Sequence, residues 1–136
     1  FLVNVLVIAL FTNCMNLFDL RPGRCIKAFA LFFLPMLAYS DSYFILFIPI
    51  AGAVLAYFPY DVKARVMMGD TGSNVLGVTL GIMAVYGLEL PTRLILLVGL
   101  VLLHIFTERY SLSKIIDNNR FLRWFDMLGR SDGSTG

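Results

Sequence analysis

Two short polar clusters stand out in an apolar chain of 136 residues. The first sets Asn13, Asn16 and Asp19 at steps of three. Each step turns ~300° on a helix, so the three side chains drift slowly around one side of it. The second cluster is Met68-Gly69-Asp70-Thr71-Gly72-Ser73-Asn74, a carboxylate between glycines just ahead of an apolar run. Glycine lets backbone approach a ligand closely, and Thr71 or Ser73 can cap the free N–H groups of the helix that follows. A helix N-terminus attracts phosphate, and a carboxylate placed there can hold a Mg²⁺ that bridges phosphate oxygens. This is not a Walker loop, because no Gly-Lys-Ser/Thr follows. Plain structural readings stand beside these. The first cluster can hydrogen-bond between packed helices, and Asp70 can simply favour the helix dipole. Two facing carboxylates, however, repel unless a divalent cation or a shared proton lies between them.

The rest of the chain says what positions these residues. Hydrophobic residues make up 59% of it and charged residues 15%, against roughly 45–50% and about 25% in an average soluble domain. Both departures point to an integral membrane protein, and the apolar excess excludes disorder. A net charge of +2 is too small for a nucleic-acid binder working through a basic face. Cys14 and Cys25 lack metal or redox spacing, and a single histidine builds no zinc site. Both thiols read as packing or interface groups in a reducing compartment.

The expected fold class is all-α, a polytopic membrane helix bundle of about five transmembrane helices with a cytoplasmic amphipathic C-terminal helix. A crossing takes ~20 mostly apolar residues, and a helix satisfies its backbone polar groups internally. The five segments are 1–19, 22–39, 43–58, 73–88 and 91–107. Pro22 suits a first helical position, Pro49 predicts a kink, and Gly77, Gly81 and Ala84 allow close helix contact. The first segment lacks the basic start and cleavage site of a signal peptide. Opening at Phe1 inside an apolar run, the chain reads as a fragment of a larger protein.

Alternate connections fall on opposite sides of the membrane. One side collects Arg21, Arg24, Lys27, Lys63, Arg65, Arg109, Lys114, Arg120, Arg123 and Arg130, ten of the eleven basic residues. The positive-inside rule makes it cytoplasmic; the other side keeps Arg93 with Asp41 and Glu89. Both polar clusters lie on the basic side. The expected organisation is a transmembrane bundle over 1–108 and a cytoplasmic amphipathic tail over 109–136. In that tail Leu112, Ile115, Ile116, Leu122, Trp124, Phe125 and Leu128 lie in the membrane surface, with Lys114, Arg120 and Arg123 in water. Gly129 fits a helix stop, and 131–136 is a polar end free to fray.

At these residues the chain resembles the polyprenyl-phosphate N-acetylhexosamine-1-phosphate transferases. That family includes the phospho-MurNAc-pentapeptide transferase of peptidoglycan synthesis and the GlcNAc-1-phosphate transferases of wall and surface polysaccharide synthesis. Its N-x-x-N-x-x-D motif matches Asn13, Asn16 and Asp19. Its A-K-x-F-M-G-D-T-G-S loop matches Ala64-Arg65-Val66-Met67-Met68-Gly69-Asp70-Thr71-Gly72-Ser73, with Arg for Lys and Met for Phe. The likeness runs from about Asn13 to Gly77, and the hydropathy pattern extends it to the last span. It implies transfer of a sugar 1-phosphate from a UDP-sugar to polyprenyl phosphate at the cytoplasmic face of the cell membrane, with release of UMP. It also implies Mg²⁺, with Asp70 as metal ligand and Asp70 and Asp19 as the catalytic pair. Asn13, Asn16, Arg65, Gly69, Thr71 and His104 become substrate-binding residues. Phosphoryl transfer needs mainly positioning and charge neutralisation, which suits such a set. Lys63 and Arg65 also read as headgroup anchors. The implied partners are the UDP-sugar, the polyprenyl phosphate and membrane lipid, with no nucleic acid; pairing as a homodimer is left open.

Three departures from the family pattern shape this expectation. The family continues its first motif as D-G-x-D-G, whereas this chain reads Asp19-Leu20-Arg21-Pro22-Gly23-Arg24. The second acid is gone and two arginines enter, which predicts altered donor recognition, with Arg21 and Arg24 as phosphate grips or orientation anchors. The family's histidine-rich loop is reduced to His104-Ile105-Phe106-Thr107-Glu108-Arg109, and His104 reads equally as a hydrogen-bonded residue inside the bundle. The family's paired aspartates do not occur in these residues, so the fragment alone is expected to be inactive. Two other classes compete. An intramembrane aspartic protease shares a proton between two carboxylates, and Tyr60-Asp61 and Gly69-Asp70 echo its elements. Met67, however, fills the first glycine position of Gly-x-Gly-Asp, and Asp61 and Asp70 read as sharing one short loop. A transporter or scaffold bundle would point Asp19 and Asp70 at different neighbours, and a transporter keeps its ionisable groups near mid-membrane.

Overall fold

The computed structural model describes residues 1–38, 42–110 and 112–128, with the backbone alone at 42–44. Among them every regular element is helical. In chain order these are α1 (Leu2–Phe18), α2 (Arg24–Ala38), a 3₁₀ turn (Ser42–Phe47), α3 (Ile48–Val62), α4 (Gly69–Gly87), α5 (Leu90–Arg109), α6 (Leu112–Asn118) and α7 (Arg120–Met127). Two stretches, Ile45–Val62 and Leu90–Arg109, are long and apolar enough to cross a membrane, and Leu2–Phe18 is apolar but shorter. Ile95, Val98, Leu102 and Ile105 face outward from α5. An apolar face of this kind suits a lipid or protein neighbour better than water.

Small residues decide the central packing. A Cβ on Gly77 would meet the backbone of Thr12 and the carbonyl of Phe11, and one on Gly81 would meet the Cα of Ile8. Four residues along α4 thus match four along α1 in the reverse direction, so the helices run antiparallel with backbones in contact. This is the close approach expected of Gly77 and Gly81, and Ala84 is buried beside them. Around the seam Val7, Phe11 and Met15 of α1 pack with Leu76, Leu80 and Met83 of α4, and Phe29 and Phe33 of α2 close the core. Phe11 meets Phe32 edge-on at 5.4 Å. At the end where α1 begins, Arg93 donates to Asn4 at 2.7 Å, which fastens the start of α5 to the start of α1.

Element boundaries differ from expectation where proline and glycine act. Pro49 sits in the first turn of α3, where its missing N–H is harmless, so it starts the helix instead of kinking it. Helix α2 begins at Arg24, because Pro22 precedes a Gly23 whose φ of +75° only glycine adopts freely. Helix α4 begins at Gly69, four residues before Ser73, which puts Asp70 in its first turn. Thr71 and Ser73 are then inside the helix, and no side chain caps it. The tail divides at Asn119, whose side chain accepts from the N–H groups of Phe121 and Leu122 and caps α7. Gly129, Arg130, Asp41 and the polar end 131–136 lie outside the described residues.

Candidate functional site

Asp19 is the first residue past α1, its N–H bound to the Asn16 carbonyl at 3.1 Å. One turn back, Asn16 Oδ1 accepts from the Ser73 hydroxyl at 3.1 Å, and the same hydroxyl reaches the Asp70 carbonyl at 3.2 Å. The two sequence clusters therefore meet. Gly69, at φ +67°, turns the chain into α4, with its N–H on the side of Asp19. Burial, the neighbouring charge of Asp61 and, more weakly, that of Asp70 push the Asp19 carboxyl above the usual range, and the Gly69 N–H opposes them. Asp70 itself is exposed at the mouth of this corner.

The other expected site residues distribute differently. Asn13 is exposed on α1, one turn above Asn16. Thr71 lines a groove of about 400 Å³ between α3 and α4, with Val54, Tyr57 and Val75, because the first turn of α4 carries it away from Asp19. Lys63 and Arg65 are exposed in the segment between these helices. His104 sits half-buried on α5, with Nδ1 2.7 Å from the Leu100 carbonyl and Nε2 buried without a partner. Its hydrogen bond stays within its own helix. Cys14 and Cys25 are both fully buried, as packing thiols are.

Asp61 belongs to this corner, although the sequence offers it only as half of a protease pair. It lies in the last turn of α3 and is 1% exposed, with Oδ2 accepting the Gly23 N–H at 2.9 Å. The signal for it is electrostatic. A carboxylate at a helix C-terminus opposes the dipole and needs a donor from elsewhere. Asp61 and Asp70 also occupy two separate helices, not the single short loop expected. The separation removes one objection to the protease reading, while Met67 still breaks its glycine pattern.

Residues 1–88 match the sequence model of glycosyl transferase family 4. The chain belongs to this family. No curated protein and no solved structure matches it. Glycosyl transferase family 4 is a family of membrane enzymes, and membership implies a polyprenyl-phosphate sugar-phosphate transferase.

The match ends before α5, yet the segment beyond it returns to the site. Arg21 makes a paired contact with Asp117, both bonds at 2.8 Å. Arg24, 4% exposed, makes another with the equally buried Asp126, at 2.7 and 3.1 Å. Each arginine's fork grips the tail. The Arg21 guanidinium holds the Asp117 carboxyl below the usual range.

The donor chemistry of the corner suits a hard divalent cation. Among the described residues no three His, Cys, Asp or Glu side chains assemble as a metal cluster. Mg²⁺ asks for less, since it takes one or two carboxylates and fills its shell with water and substrate phosphate oxygens. An exposed Asp70 in the first turn of a helix, on the side of Asp19, could contribute to such a partial set.

Proposed function

We propose that the protein transfers an N-acetylhexosamine 1-phosphate from a UDP-sugar to polyprenyl phosphate at the cytoplasmic face of the cell membrane, in cell-wall or surface polysaccharide synthesis. An oxygen of the lipid phosphate attacks the sugar-bearing phosphorus. The bond from that phosphorus to the bridging oxygen breaks, and its electron pair leaves with UMP. Mg²⁺, when bound, neutralises the diphosphate. Asp70 and Asp19 would hold it, the N–H groups of the first turn of α4 attract phosphate, and Asn16, fixed by Ser73, presents a polar wall to the nucleotide. Five crossings, with the carboxylate corner at the inner leaflet, fit the antiparallel run of α1 and α4 and the basic residues around it.

One observation carries this reading: the Asn16–Ser73 bond joins two distant polar segments at one end of the bundle. A transporter would hold its ionisable groups near the midplane, and these lie at helix ends. The test is UMP release by the full-length protein in vesicles holding polyprenyl phosphate, across a panel of nucleotide sugars. Turnover is expected with a UDP-N-acetylhexosamine. Because an Arg-Pro-Gly-Arg turn replaces D-G-x-D-G, the order of preference should differ from that of a strict peptidoglycan enzyme. Silence with every UDP-sugar would reject the function, and normal kinetics with UDP-MurNAc-pentapeptide would reject the altered preference.

The tail gives a second expected result. Phe121 and Trp124 are 70% and 61% exposed, with ring centroids 6.1 Å apart. Such a pair is favoured in the interfacial zone of a bilayer. In a form with no other tryptophan, Trp124 emission should shift to the blue in anionic vesicles and be protected from an aqueous quencher. An emission maximum typical of full water exposure would contradict it.

A further inference from the structure

The turn that carries Asp19 is held from two sides. On one side Gly23 donates to Asp61, and its Cα faces Val62 so closely that an added Cβ would lie 2.9 Å from the Val62 side chain. On the other side the C-terminal helices grip the same turn. Arg24 is forked onto Asp126 and reaches Ser113 at 3.1 Å, and Arg21 is forked onto Asp117. Lys27 donates to the carbonyls of Phe125 and Asp126, at 3.0 and 2.6 Å, where α7 ends. A buried, bidentate arginine–carboxylate pair fixes direction as well as distance. Removing one partner leaves the other charge buried without its match. Arg24 is next to Gly23 in the chain, so the pair sets where the Gly23 N–H points, and with it the Asp61 carboxylate beside Asp19.

We propose that Asp126, acting through Arg24, is a positioning residue for the transfer site, and that α6 and α7 are a working part of that site and not an appended tail. The inference rests on the transferase reading of Asp19 and Asp70. Where D-G-x-D-G is missing, this chain closes the same turn with its own C-terminal carboxylates. Neither Asp126 nor Arg24 touches substrate in this role; they hold the turn that follows Asp19.

The test uses the full-length protein in membranes, with Asp126→Asn, Asp126→Glu and, as a control on the outer side of α7, Arg120→Gln. Two readouts are taken together: UMP release per folded enzyme and hydrogen exchange by mass spectrometry. In Asp126→Asn, kcat should fall about ten- to a hundredfold, the loss expected for a displacement of about 1 Å. The KM for polyprenyl phosphate should stay within about twofold. Exchange should rise in residues 19–24 while the α1–α4 seam near Gly77 stays protected. Asp126→Glu should recover most of the rate, and Arg120→Gln should keep both readouts at wild-type values. Unchanged kcat in Asp126→Asn overturns the positioning role, whether or not the turn has opened. So does a loss that tracks exchange across the whole bundle, which marks a purely structural pair. Wild-type protein silent with every UDP-sugar overturns the transferase reading instead, and the role in transfer with it. In that case faster exchange confined to 19–24 still separates the clasp from its use.

Discussion

Asp70→Asn is expected to abolish UMP release in the full-length protein while leaving it folded. The side chain is exposed in the first turn of α4, and no packing depends on its charge. Asparagine keeps its shape and remains compatible with a helix start. What disappears is a carboxylate that combines exposure with the first turn of a helix, three residues before the Ser73 hydroxyl that bonds Asn16. Loss of a single preorganised electrostatic group at a reacting centre commonly removes about 10²–10³ in rate, and a metal ligand is a strong instance of such a group. Thermal stability should change little, and UMP release should fall to background at every Mg²⁺ concentration tried. Turnover within a few fold of wild type would remove Asp70 from the chemistry and leave it as a helix-dipole residue.

The sequence made Asn16, Asp19 and Asp70 visible because each is anomalous against its surroundings. A polar residue repeated on an apolar helix has few uses, and a carboxylate between glycines at a helix start has fewer. The small-residue face of α4 was visible for the same reason, and Gly77 and Gly81 do meet the backbone of α1. Asp61 stayed hidden because its role depends on a backbone N–H 38 positions away, at Gly23. No spacing rule connects a helix C-terminus to such a turn. The arginines show the limit most clearly. Arg21 and Arg24 were counted among the cytoplasmic cations, and their count does support an orientation. Their forked contacts with Asp117 and Asp126 lie 96 and 102 positions along the chain. Ion pairs at that range leave no local pattern, since any acid in a flexible-looking tail is a candidate. The helix starts also moved. Pro49 predicts a kink and the fourth span a start at Ser73, whereas Pro49 sits in the first turn of α3, where a missing N–H is harmless, and Gly69, free to take positive φ, opens α4.

Gly77→Ala is expected to have an effect out of proportion to one methyl group. The added carbon would press on the Cα and N of Thr12 and the carbonyl oxygen of Phe11, all of them backbone, so no side chain can rotate away. Helices α1 and α4 must separate, and overpacking of this kind usually costs about 1–3 kcal/mol. In a lipid solvent that loss bears directly on helix association, which relies on packing more than on apolar transfer. The consequence reaches the site, because the Asn16–Ser73 bond lies one turn from Gly77 on the same seam. Parting the backbones there lengthens that bond and withdraws the Gly69 N–H from Asp19, so kcat should fall about 10²-fold alongside the stability loss. Gly99→Ala on α5 is the matched control, since an added Cβ at that position has nothing within 4 Å. Thermal denaturation and UMP release of the two variants, measured side by side, decide the matter. If Gly77→Ala behaves like Gly99→Ala in both, the close seam is not what brings the two polar clusters together, and the corner where Asp19 meets the first turn of α4 loses its structural basis.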